Sequence, residues 1–123
     1  MLTTHDKPNQ FIVTKGFTVI KGNDTLEIKE GLIVNGASIP KPFTLFFDRF
    51  HPHYNRPSII HDALVGEFGA KAMVKNSNGT KRELTWKEAA VWMREAIKEE
   101  GGNKLLRRVF YHAVMMKKRA GLV

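Results

Sequence analysis

Apolar and polar positions alternate along the first third of the chain and recur at helical spacing along most of the rest. From Gln10 to Ile20 the β-favouring residues Phe11, Val13, Phe17 and Val19 predict extended chain, with Gly16 either breaking the run into two pieces or marking a bulge. Gly22-Asn23-Asp24 is a turn signal, Thr25 to Ile28 alternates again, Glu30-Gly31 is a second turn, and Leu32 to Val34 is a short apolar strand. The connections are too short for helical crossovers, so these strands are expected to form a small antiparallel sheet.

Asn35-Gly36-Ala37-Ser38-Ile39-Pro40 closes the strand-rich part. Between Phe43 and Phe50 the aromatics Phe43, Phe46, Phe47 and Phe50 fall at i, i+3, i+4 and i+7. That is a helical stripe, to be buried in a core or left exposed for a partner. His51 to Pro57 reads as a loop, with a helix following from Ser58 and ending near Gly66 or Gly69. Pro57 suits its first turn, and Ile59, Ile60, Ala63 and Leu64 form its buried side. Asn78-Gly79 predicts a hairpin that looks like an insertion between two helices. Thr85-Trp86-Lys87-Glu88 is a capping box opening a helix to about Glu100. Gly101-Gly102 stops that helix, and Asn103 caps a last one to about Arg119. Its expected inward face is Leu105, Leu106, Val109, Phe110, Ala113, Val114 and Met116. The class is therefore α+β. A small N-terminal antiparallel sheet plus a hairpin packs on a C-terminal helical hairpin and a central helix carrying His61-Asp62. The length of 123 residues predicts a single domain over 1–123.

Charge changes this picture because it is uneven. The net charge is +8, yet residues 1–70 hold 7 Lys/Arg against 7 Asp/Glu, whereas residues 71–123 hold 13 against 5. From Gly101 onward there are 6 basic residues and no acidic one. This asymmetry predicts an anionic partner, a host or phage protein, nucleic acid or a lipid surface, with a plain solvated helix face as the bland alternative. The binding residues are expected to be Lys104, Arg107, Arg108, Lys117, Lys118 and Arg119. Lys104, Arg108 and His112 are four apart and share a stripe. No DNA-reading motif accompanies them.

The chain has no cysteine, which excludes disulfide frameworks, thiol nucleophiles and thiolate metal sites. No apolar run approaches the ~20 residues of a membrane span, and Met1 to Gln10 is polar. A soluble protein of the cytoplasm, or one packaged in a virion, is the expectation.

Candidate chemistry centres on His61 and Asp62. Neighbours on a helix point about 100° apart, so the two are not expected to form an ordinary hydrogen-bonded dyad. They serve one site only if it straddles both side chains or if one supports the other. His61 offers a general base or metal ligand, and Asp62 a metal ligand, a partner for arginine or a cap. Ser38 is a candidate nucleophile only if the fold brings His61 close; otherwise it caps the turn that Pro40 begins. His51 and His53, with His61 and Asp62, complete a possible set of ligands for a divalent metal ion, although no metallohydrolase signature is present. No other cofactor is indicated.

With these elements in place, the chain resembles an uncharacterised domain family found mainly in bacteriophages and prophages. The resemblance rests on Gly31, Asn35, Ala37-Ser38-Ile39-Pro40, Ile60-His61-Asp62, Lys87-Glu88-Ala89, Glu95-Ala96 and Tyr111-Ala113-Val114, across roughly residues 11–118. The resemblance implies Asp where this chain has Asn35, Asp where it has Ala90, and an aromatic where it has Val65. It implies phage origin more strongly than any mechanism, and if the family's site binds a metal through several carboxylates, the two missing acids weaken it here. Three functions are therefore in view. One is an accessory protein binding a host or virion macromolecule through its basic C-terminal half. Another is a small hydrolase or metal-dependent enzyme at His61 and Asp62. The third is a structural component of a phage particle held by Phe43 to Phe50.

Overall fold

A computed structural model of the chain describes residues 2–4, 10–34, 52–66 and 71–119, with side chains described for 10–34, 55–66 and 71–116. The expected aromatic helix of Phe43 to Phe50 lies outside the described residues.

Among the described residues, seven strands and three helices follow one another as β1 (Leu2–Thr4), β2 (Phe11–Val13), β3 (Phe17–Lys21), β4 (Asp24–Ile28), β5 (Ile33–Val34), α1 (Pro52–Val65), β6 (Val74–Lys75), β7 (Lys81–Arg82), α2 (Trp86–Glu99) and α3 (Lys104–Arg119). The α+β class holds, with more sheet than expected. One antiparallel sheet has the order β1-β2-β5 and a second the order β3-β4-β6-β7. Gly16 separates them. A Cβ there would sit 2.6 Å from the carbonyl oxygen of Ile28, so only glycine lets the chain pass that close between β2 and β3. β1 was not expected, because Leu2–Thr4 is too short and too polar to announce a strand; it is held by pairing Leu2 with Val13 and Thr4 with Phe11.

Two residues, Gly22 and Asn23, connect β3 to β4, so that Lys21 pairs with Asp24. Asp24 thus belongs to the strand rather than to the turn. Along β4 the alternation is clean: Leu26 and Ile28 are buried and Glu27 is exposed. The β6–β7 hairpin is not an insertion. β6 pairs with β4 at Thr25 and Lys75, and Val74 is fully buried in the core. Its turn depends on Gly79 at φ +84° and on Asn76, whose Oδ1 accepts hydrogen bonds from the N–H groups of Asn78 and Thr80, both at 2.9 Å.

α1 begins at Pro52, six residues before the predicted start. Pro52 occupies the first helical position, where a missing N–H costs nothing. Pro57 then falls inside the helix and removes one i→i−4 bond, but its ring is fully buried, and that packing offsets the loss. Every residue from Pro57 to Leu64 is buried, so α1 is a central helix covered on all sides. Ile59, Ile60, Ala63 and Leu64 join Val13, Leu26, Ile28, Val34, Val74, Leu84, Ala89 and Trp92 in the main core, which both sheets share with α1 and α2. A second cluster of Met93, Ile97, Leu106 and Phe110 joins α2 to α3.

The ends of α2 are as the sequence predicts. Thr85 Oγ1 accepts from the Glu88 N–H at 3.1 Å, and Glu88 Oε1 accepts from the Thr85 N–H at 3.0 Å. At the other end the Gly102 N–H reaches the Ile97 carbonyl at 2.8 Å and the Gly101 N–H the Lys98 carbonyl at 3.1 Å, with Gly101 at φ +91°. This is the Schellman pattern of bonds. Asn103 caps α3 through its Oδ1, which accepts from the Leu106 N–H at 2.8 Å. The predicted inward face of α3 is too wide, however. Leu106 and Phe110 are buried, but Leu105 is 66 % and Met116 64 % exposed. Only α2 contributes to the described apolar cluster with α3, and one neighbouring helix covers only a narrow arc.

Candidate functional site

Two places concentrate polar chemistry. The first is α1. Ser58, His61 and Asp62 are the buried polar or charged residues among those described, and all three lie on this one helix. Residues 55, 58 and 62 fall at i, i+3 and i+7, which lines up Asn55, Ser58 and Asp62, with His61 alongside. Burying such groups is costly unless they are bonded, so their clustering on one helix calls for a reason. Ser58 and Asp62 have interaction partners. Asn55 Oδ1 and His61 Nε2 have none, and they are the two buried side-chain atoms so placed among the described residues.

The helical geometry treats His61 and Asp62 as expected. Their Nδ1 and Oδ1 atoms are 3.9 Å apart, close enough for electrostatic attraction and too far for a hydrogen bond. On its other side the His61 ring meets Trp86 edge-on, with centroids 5.0 Å apart at 89°. Trp86 in turn donates from Nε1 to the Val114 carbonyl at 3.0 Å. The candidate base is therefore wedged between its own helix and α2, through a residue that also grips α3.

Of the other residues proposed for this centre, Ser38, His51 and the side chain of His53 lie outside the described residues. Among the described residues no three His, Asp or Glu side chains converge as a metal site would require. Asn35 lies outside them too, while Ala90, the other position of a missing acid, is fully buried on α2 one turn beyond Trp86. Asn55 and Ser58 escaped the sequence reading because His51 to Pro57 looked like a loop; once α1 starts at Pro52, they fall into line with Asp62.

The second place is the seam between α2 and α3. Arg94, Glu95 and Lys98 from α2 and Lys104, Arg107 and Arg108 from α3 line an open recess of about 250 Å³. Five of these six residues are cationic and one is acidic. None of the five cations takes part in an ion pair among the described residues, whereas Arg56 and Arg82 elsewhere do. Arg94 is held by the ring of Tyr111, with its guanidinium 4.8 Å from the centroid. The predicted stripe of Lys104, Arg108 and His112 is exposed, as i, i+4 spacing requires. The side chains of Lys117, Lys118 and Arg119 lie outside the described residues. The sequence reading missed Arg94 and Lys98. Their four-residue spacing on α2 was the available signal, but Glu95 and Glu99 on the same helix and Glu100 just after it made it look balanced.

The fold and these two places define a small α+β protein in which two sheets and a central polar helix carry a basic helical hairpin. The chain belongs to the DUF1353 family, a protein family of unknown function, whose model matches residues 11–114. Comparison with curated proteins and with solved structures gives no match. No helix among the described residues is long and apolar enough to cross a membrane.

Proposed function

We propose that this protein is a small phage-encoded accessory protein that binds an anionic macromolecule of the host cell or the virion through the face where α2 and α3 meet. The observation that carries this reading is the recess itself, in which five cations from two helices gather around one acid without ion pairs among the described residues. Like charges held together repel one another, so an arrangement of this kind gains from an anion lying across it. A merely solvated helix would spread its cations or pair them at i, i+4. Phage origin is supported by the order of the Ala37-Ser38-Ile39-Pro40 and His61-Asp62 elements alone.

The test is the double substitution Arg107→Glu with Arg108→Glu. Arg108 is exposed and Arg107 only half-buried, so the fold is expected to survive, as far-UV circular dichroism would show. Retention on a polyanion column and affinity for an anionic probe should both be lost. Unchanged retention would overturn the reading.

A second reading is favoured by the unpartnered, buried Nε2 of His61. Unsatisfied buried groups of this kind mark functional centres as well as structural ones. On this reading the protein is a small hydrolase or metal-dependent enzyme, with His61 as base or ligand, Asp62 supporting it, and Ser38, His51 or His53 assisting. Titration with zinc, followed by the fluorescence of Trp86 beside His61, tests the metal version. A saturable change that His61→Ala removes supports it, and a flat titration of the native protein sinks it.

A further inference from the structure

Among the described side chains of α3, the exposed ones are Lys104, Leu105, Arg108, His112 and Met116. At 100° per residue they occupy one outward arc with two unlike edges. Lys104 and Arg108 stand at the edge that borders the recess. Leu105 and Met116 stand at the other. They are eleven residues apart and so return to within about 20° of the same direction, ~16 Å apart along the axis. Half-buried Val109 lies between them on nearly the same line. The outer side of α3 is thus a cationic row beside a row, about three turns long, in which Leu105 and Met116 flank His112.

Single exposed apolar residues are ordinary on a protein surface. An aligned pair flanking a cation-lined recess is different, because each class of anionic partner uses the two rows differently. A phosphodiester backbone is complementary to the cations alone and leaves Leu105 and Met116 wet. Single-stranded bases stack on open aromatic faces, and the apolar members of this row, Leu105 and Met116, are aliphatic. An anionic bilayer takes up a helix with a broad apolar face, usually bearing aromatic residues, and two aliphatic side chains fall short of that. An amphipathic helix whose apolar stripe is bordered by carboxylates matches both rows at once when it lies along the outer side of α3. Methionine and arginine are also among the residues enriched where proteins meet.

We infer that the partner of this face is an acidic amphipathic helix of another protein, its apolar stripe on Leu105, Val109 and Met116 and its carboxylates over Lys104 and Arg108 at the rim of the recess. The inference rests on the anion-binding reading given above and narrows it to one kind of partner.

The full-length chain is titrated against four fluorescent probes. They are a synthetic helical peptide with leucines at i, i+4, i+7 and i+11 bordered by glutamates, a scrambled peptide of the same composition, a DNA oligonucleotide, and vesicles containing phosphatidylserine. The ordered peptide should bind roughly tenfold or more tighter than the scrambled one and tighter than the oligonucleotide or vesicles. Leu105→Ser with Met116→Ser should weaken the ordered peptide by roughly tenfold while leaving the circular dichroism spectrum unchanged, because both residues are exposed. Tightest binding to the oligonucleotide or vesicles overturns the inference and leaves the anion-binding reading standing. So does peptide affinity that falls with Arg107→Glu and Arg108→Glu but ignores Leu105→Ser and Met116→Ser. Failure of every anionic probe to bind the native protein overturns both.

Discussion

Trp86 donates its indole N–H to the Val114 carbonyl at 3.0 Å while its ring system and the His61 ring meet at right angles, 5.0 Å apart at their centroids. One side chain at the first position of α2 therefore ties α1 to α3. Among the described residues, Met93 and Ile97 are also buried against Leu106 and Phe110 of α3. Trp86→Phe keeps an aromatic ring beside His61 and deletes the N–H. It should lower stability by about 1 kcal/mol, the usual net worth of one hydrogen bond, measured by urea unfolding. Because the recess is built from both helices, binding of an anionic probe should weaken with it. Loss of stability above ~3 kcal/mol would mean that the ring, rather than the bond, holds α3.

The link between α2 and α3 is specified by glycine chemistry. A Cβ on Gly102 would lie 2.3 Å from Ile97 Cγ2, 2.9 Å from the Ile97 carbonyl oxygen and 3.1 Å from Leu106 Cδ2. The side chains can give a little, but the carbonyl belongs to the bond that closes the helix. Gly102→Ala should therefore cost about 2 kcal/mol, in the range of overpacked interiors, and show as a lower Tm in a thermal melt followed by circular dichroism. Gly101→Ala acts differently, through the positive φ of +91°, and should cost about 1 kcal/mol. A Gly102→Ala protein as stable as the native one would contradict the close approach.

Much of this hairpin was legible in the sequence, because its signals are local. Thr85 to Glu88, Gly101-Gly102 and Asn103 each act within a few residues, and α2 and α3 start and stop where they say. What escaped was set by tertiary neighbours. β1 exists because β2 offers it an edge. The β6–β7 hairpin joins a sheet because β4 is open to Lys75, a partner fifty residues away from Thr25. The apolar periodicity of α3 lists more positions than α2 can cover, which is why Leu105 and Met116 remain outside. On α1 the local rules for Pro57 argue against a helix that burial nonetheless maintains, and the error hid Asn55 and Ser58. His61 and Asp62 were found by motif, but only the structure reveals that the imidazole is buried with one nitrogen unpartnered.

Acid should loosen the start of α2. The Glu88 carboxyl is held below the usual glutamate range, first by the hydrogen bond from the Thr85 N–H and then by Arg82, 3.2 Å away. A group whose pKa is lower in the folded chain stabilises that state above its unfolded pKa, and the benefit disappears as pH falls through the folded value. Unfolding stability should therefore drop below the ordinary glutamate range, and Glu88→Gln should reduce that part of the drop in a urea series taken across acidic pH. The companion substitution Thr85→Ala removes the other half of the box and should cost about 1 kcal/mol at neutral pH. An acid limb identical in native protein and Glu88→Gln would show that the box does not contribute to it.

His61 provides the sharpest division between the two functional readings. If the imidazole serves no chemistry, its buried and unpartnered Nε2 is a liability that the fold merely tolerates. His61→Phe keeps a flat ring against Trp86 and removes the unsatisfied nitrogen. On the binding reading that substitution should leave stability unchanged or raise it by about 1 kcal/mol, with affinity for anionic probes at the α2–α3 face within about twofold of native. On the enzymatic reading the same substitution removes the base or ligand, so the zinc-dependent change in Trp86 fluorescence disappears while stability is spared. Urea unfolding, polyanion affinity and the zinc titration on this one variant therefore separate a tolerated core histidine from a working one. A loss of more than ~2 kcal/mol on His61→Phe would assign His61 a structural bond that neither reading contains.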